Sequence, residues 1–278
     1  RASGRGSSGT RSTVRPMSEF IDRDLTGSTF RRTALSGSRL HQVKFEDADC
    51  RRVWLNRTEF RGVMMHGTKF LGAEMLDVVI NGELRNVVIN GVEVSAYIEA
   101  ELNRQSPERA LMPPTAPAGF RQAWDLLEQK WAETTERARA LPPESLQVRV
   151  NGEWSFIETL RHLGIATAAW VGRMILGDPS PWPPLDLPWD EAPGWDGIPW
   201  DRDVRPSLDE VLELRRRRQA MVRRVIDGLT AEQLASTVTR LEPGWPQEED
   251  FSFADCLLIV LNEECEHRRF AERDLAQL

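Results

Sequence analysis

No long apolar run occurs in this chain. None of its 278 residues stands in a stretch approaching the roughly 18 needed to span a bilayer, which excludes a helical membrane protein and predicts a soluble, cytoplasmic one with no membrane partner. Cysteine is scarce. Cys50, Cys256 and Cys265 are odd in number, widely spaced and free of any CxxC pairing, which excludes a disulfide framework and predicts reduced, mostly buried thiols. Positive charge is short as well, the formal net charge being −7. The first sixteen residues, RASGRGSSGTRSTVRP, hold four arginines, no acid and no hydrophobic segment. They are not a secretory signal and read as a leader or disordered tail. Without them 32 basic residues face 43 acidic ones, so nucleic acid is not an expected partner. No Ser/His/Asp set or phosphate-binding loop is evident, and there are only four histidines.

What is there first is a period of five. From Phe20 the positions Leu25, Phe30, Leu35, Leu40, Phe45, Cys50, Leu55, Phe60, Met65, Phe70, Met75 and Ile80 are all apolar. Two residues before each stands a small or β-branched residue, Arg23 excepted. Five matches neither the 3.6 of a helix nor the 2 of a strand; it is a solenoid signature. One large and one small inward residue per five suits a narrow coil with four sides, stabilised by stacking on its neighbours. Two near-copies, Val78-Val79-Ile80-Asn81-Gly82 and Val87-Val88-Ile89-Asn90-Gly91, carry Asn-Gly turn signals and read as irregular final coils.

Residues 20–80 resemble the pentapeptide-repeat family. The resemblance implies a right-handed quadrilateral β-helix, spanning 17–96 here. Some members of that family mimic DNA, but residues 17–100 carry 11 basic and 12 acidic groups, not the acidic surface such mimicry needs. His41 and His66 read as surface residues.

Residues 97–116 read as a helical and proline-rich linker, ending in Met112-Pro113-Pro114-Thr115-Ala116-Pro117. Four amphipathic helices follow over 117–278, at about 118–141, 155–176, 207–228 and 252–277. Ser155-x-x-Glu158, Ser207-x-x-Glu210 and Ser252-x-x-Asp255 mark three of their starts. The set suits a four-helix bundle. The long 178–206 connection contains about eight prolines and four tryptophans, Trp182, Trp189, Trp195 and Trp200. These indoles either cover the end of the bundle or wall a ligand pocket, Trp189 and Trp195 being the candidates for the latter.

The helical region has two histidines, His162 and His267, each four residues after a glutamate, Glu158 and Glu263. A spacing of four puts both side chains on one helix face. An imidazole and a carboxylate from one helix, with an imidazole from a facing helix, make three metal ligands and leave a fourth position open. The plainer reading is a hydrogen-bonded core histidine.

The stretch Glu153-Trp154-Ser155-Phe156-Ile157-Glu158-Thr159-Leu160-Arg161-His162-Leu163 and the stretch Leu261-Asn262-Glu263-Glu264-Cys265-Glu266-His267-Arg268-Arg269-Phe270 together resemble the DinB/YfiT-like superfamily of metal-binding four-helix bundles. Many members take one histidine from the second helix and an HxxxH pair from the last. Here Glu263 stands in the first position of that pair, and a His-Glu-His set is similar to that of the mycothiol-dependent maleylpyruvate isomerases. The resemblance implies His162, Glu263 and His267 as metal ligands. Glu264 is adjacent to the ligand face, Glu158 either orients His162 or only caps its helix, and Arg161 is a candidate cation for an anionic substrate. Zinc is the expected ion.

Two functions are carried forward. One is a metal-dependent S-transferase or isomerase that uses mycothiol or another low-molecular-weight thiol on a small-molecule electrophile. The other is a scaffold whose solenoid docks a protein partner or a second copy in a homodimer, with a structural metal or none.

Overall fold

Three helix starts are set by one serine each. Ser155 accepts a hydrogen bond from the Glu158 N–H while the Glu158 carboxylate accepts from the Ser155 N–H, and Ser207 and Glu210 do the same. Ser252 accepts from the Asp255 N–H. Each bond satisfies a backbone donor that the first helical turn leaves unpaired. The structure is a computed structural model and describes residues 20–40, 43–60, 62–190, 192, 194–195, 197–241, 244–246 and 250–278. The leader over 1–16 and His41 lie outside these.

The chain divides into two units after Val78. The second unit begins with a short hairpin, β1 (Val88–Ile89) against β2 (Val92–Glu93). Asn90 and Gly91, at φ 50° and 84°, form its turn. Then come α1 (Ser95–Gln105), a 3-10 turn at Pro107–Leu111, α2 (Pro117–Arg139), α3 (Phe156–Thr167), α4 (Leu208–Asp227), α5 (Ala231–Leu234) and α6 (Phe253–Leu275). A second strand pair, β3 (Thr237–Thr239) with β4 (Asp250–Ser252), leads into α6. Among the described residues no helix is long and apolar enough to cross a membrane.

The four long helices form a bundle in which α3 packs on α4 and α6, and α2 on α6 and α4. Two apolar clusters fill it. One joins Phe120, Trp124 and Leu127 of α2 to Ile226 of α4 and Leu257 of α6. The other gathers Trp131, Leu160, Val211 and Leu275. Along α4, buried Arg215 stands in chain order between the two clusters, and its partner Glu264 is buried on α6. The stretch expected to act as a linker takes part in this core, for Met112 is buried in the first cluster. α3 does not stop at Thr167. It continues as a π-helical segment, Ala168–Ile175, until Gly177 turns out at φ 72°. Arg240 donates to the Arg173 and Ile175 carbonyls at its end.

The first unit repeats every five residues. Asp22, Gly27, Arg32, Gly37, Asp47, Arg52, Arg57, Gly62, Gly67, Gly72 and Asp77 all have positive φ. Each lies two residues beyond a member of the apolar row. The expected inward packing of that row is not seen. Apart from Cys50, also exposed, its residues from Phe20 to Ile80 are 43–68% exposed, and among the described residues 20–83 none is buried. Two turn bonds, Ser28 N–H to the Leu25 carbonyl and Ser38 N–H to that of Leu35, mark corners. Among the described residues of this unit no strand is formed. His66 is exposed, as expected.

Candidate metal centre

Facing helices α3 and α6 bring His162, Glu263 and His267 together, with one ligand atom from each within 4.8 Å of the others. His267 Nε2 lies 3.0 Å from Glu263 Oε2, and His162 Nε2 lies 3.4 Å from the same oxygen. The two imidazoles are 5.0 Å apart at their centroids. The three side chains are 13%, 28% and 18% exposed, which leaves the cluster reachable from solvent. Burial opposes ionisation of Glu263, but His162 and His267 outweigh it and hold the carboxyl far below the usual carboxylate range.

The donor chemistry fits a divalent cation. His162 Nδ1 sits 3.0 Å from the Leu187 carbonyl, which can only accept, so Nδ1 carries the proton. Nε2 is then the ring nitrogen that faces the Glu263 carboxylate. Glu263 Oε2 is buried without a well-directed hydrogen bond. Two nitrogens and an oxygen converging on one point are a ligand set that zinc accepts. The Leu187 contact is of the kind that orients a ligating imidazole.

Residues 126–271 match the model of the DinB superfamily. The chain belongs to the DinB superfamily. The matched region covers half of the chain and contains His162, Glu263 and His267. Comparison with curated proteins and with solved structures found no match.

Within this DinB domain the other candidates go to different places. Glu264 does not join the cluster. It is buried against α4, where both its oxygens accept from Arg215, at 3.1 and 2.5 Å. Arg215 stacks at 4.3 Å over Trp131, whose indole donates to the Glu264 carbonyl. Glu158 does not reach His162; it completes the helix cap and takes three hydrogen bonds from Arg149. Arg161 is no substrate cation. It is buried, and its guanidinium donates to the carbonyls of Leu185, Val204 and Asp201 in the 178–206 connection. Trp195 stacks on Trp245 and meets Trp189 and Trp200 edge-on, and Trp189 lies tilted against Trp245. Trp195, Trp200 and Trp245 pack against the first apolar cluster, which is the covering role. Sequence reasoning passed over Trp154. Its ring lies 4.3 Å from that of His162 and 5.7 Å from that of His267. Its place beside the Ser155 cap, two helical turns before His162, was the available signal.

The 178–206 connection holds one further buried charge. Asp186 is fully buried; Arg218 donates to its Oδ2 at 3.0 Å, while Oδ1 has no partner among the described residues and abuts Gly164. Burial pushes its carboxyl up to about 7, against the pull of Arg218 and Arg161. A raised folded-state value means that the native state holds the proton over a range where the unfolded chain has lost it. The stability this group contributes is complete below about pH 4 and is lost as pH rises through 7. Asp186→Asn fixes the neutral form. The stability of that variant relative to wild type is expected to climb between about pH 4 and 7, by up to about 1.4 kcal/mol per unit, and then level off. Urea unfolding across pH measures it; a difference independent of pH means that native Asp186 stays ionised.

Proposed function

We propose that the DinB domain is a divalent-metal-dependent enzyme, with His162, Glu263 and His267 holding the ion. The observation that carries this reading is the convergence of two imidazoles and a carboxyl group from facing helices on one point, the imidazole nitrogens 3.0 and 3.4 Å from one carboxyl oxygen. A divalent ion, zinc by preference for this donor set, supplies Lewis acidity that lowers the pKa of a bound thiol or water. Glu263 contributes the negative charge that draws the cation in. Leu187 keeps His162 in the tautomer that offers Nε2. Partial exposure of all three side chains leaves room for a further ligand. The reaction class we propose, transfer to a small electrophile or isomerisation with mycothiol or another low-molecular-weight thiol, rests on the superfamily resemblance.

The test is metal content by elemental analysis of protein purified without a metal-affinity tag, wild type beside His162→Ala and Glu263→Ala. About one ion per chain is expected in the wild type, as three converging ligands require, with loss in both variants. A wild type that holds no ion after zinc is added overturns the reading. A loaded wild type then justifies screening thiols against electrophiles.

A second reading is favoured by the N-terminal unit. Its apolar row and its positive-φ corners share one five-residue period, which supports a right-handed quadrilateral β-helix. Apolar side chains off that row, among them Trp54, Met64 and Leu71, are exposed as well and suit a protein partner or a second copy. On that reading the solenoid docks and the ion is structural.

A further inference from the structure

We propose that Trp154 is a positioning residue of the metal centre: its indole, tethered by Asp190, spans both histidines and sets the angle at which their nitrogens meet the ion. This rests on the metal reading above and extends it to a side chain outside the ligand set.

Three observations converge. Trp154 touches both imidazoles, tilted at 44° to His162 and stacked at 24° on His267. The two rings come from different helices and stand at 64° to each other. A single rigid plate against both therefore ties α3 to α6 at the level of the ligands. The indole cannot swing freely, because its N–H donates to Asp190 Oδ1 at 3.1 Å. Asp190 is held in turn by Arg149, which donates to both its oxygens, at 3.1 and 3.2 Å, and also to Glu158 at the start of α3. Burial opposes ionisation of Asp190, yet Arg149 and the indole bring its carboxyl below the usual range, so it accepts as an anion.

The chain of contacts runs Glu158, Arg149, Asp190, Trp154, then the two histidines. The carbonyl of Leu187, three residues before Asp190, accepts a hydrogen bond from His162 Nδ1. The same loop thus fixes His162 twice, once through a hydrogen bond and once through the indole. Metal ligands need such outer contacts, because an imidazole free to rotate spends binding energy on being ordered. The face of an indole also carries negative potential, which favours an imidazole made more positive by a bound cation.

The experiment is cobalt(II) titration of wild type, Trp154→Ala, Trp154→Phe and Asp190→Ala, reading both Kd and the visible absorption of the bound ion. Circular dichroism verifies folding. Two lost ring contacts predict that Trp154→Ala weakens cobalt binding by about tenfold or more and changes the band intensity. Trp154→Phe keeps a flat ring and is expected to stay within about threefold of wild type. Asp190→Ala frees the indole while leaving it present, and should weaken binding by about threefold with a changed spectrum. A folded Trp154→Ala with wild-type affinity and an unchanged spectrum overturns the proposal. Should that variant not fold, an Asp190→Ala indistinguishable from wild type in both readouts overturns it instead. A wild type that binds no cobalt sinks the metal reading itself, and this inference with it.

Discussion

Glu264→Ala is expected to destabilise the bundle by about 3–5 kcal/mol, the range for removing one partner of a buried ion pair. Both members are inside: the Arg215 side chain is 5% exposed and that of Glu264 2%. Truncating the acid leaves a guanidinium between two apolar clusters, still stacked on Trp131 but without its carboxylate. The cost is desolvation left uncompensated, not the net worth of the pair. Replacing both partners, as Arg215→Met with Glu264→Leu, is therefore expected to recover much of the loss. Urea unfolding followed by circular dichroism measures the three proteins. A loss under about 1 kcal/mol in the single variant is the surface-pair value and means that the pair is wet. Metal content adds a second result. Folded Glu264→Ala should keep its ion, where Glu263→Ala loses it, although the two residues are neighbours.

Arg161→Met is expected to cost about 3–4 kcal/mol, with weaker metal binding besides. The guanidinium donates to three carbonyls of the 178–206 connection, and each hydrogen bond to a charged donor is worth about 1.5–3 kcal/mol, without full additivity. Burial pulls its pKa below the usual arginine value, but the group stays protonated. Methionine fills similar volume and donates nothing, so carbonyls at both ends of the loop lose a partner. The consequence reaches the histidine next in sequence. The Leu187 N–H donates to the Arg161 carbonyl, and the Leu187 carbonyl accepts from His162. A loop released from Arg161 holds His162 less firmly. The checks are the unfolding free energy and the cobalt Kd measured on one preparation. Lost stability with an unchanged Kd means that Arg161 anchors the loop but does not support the site.

The bundle was legible because its signals are local. Ser155, Ser207 and Ser252 cap the helices that they announce, and Phe120, Trp124, Leu127 and Trp131 bury one stripe of α2 at helical spacing. The π-helical stretch after Thr167 was not legible, since its apolar residues suit either winding. The roles of Arg161 and of the tryptophans were not legible either. A buried arginine and a solvated one look alike in a sequence, and what separates them here is a loop that returns from 24 to 43 residues away.

By itself the sequence determined the capped helices, the five-residue period and His162, Glu263 and His267 as residues of interest. Each of these depends on spacing along the chain, which folding does not alter. Only the tertiary structure showed what each of the neighbours Glu263 and Glu264 meets. Successive helical residues point about 100° apart, so one of the two meets α3 and its histidine while the other meets α4 and its arginine. Which neighbour lies on which side is a property of how four helices pack. The spacing within one helix pairs Glu263 with His267, but it does not name Arg215 as the partner of Glu264.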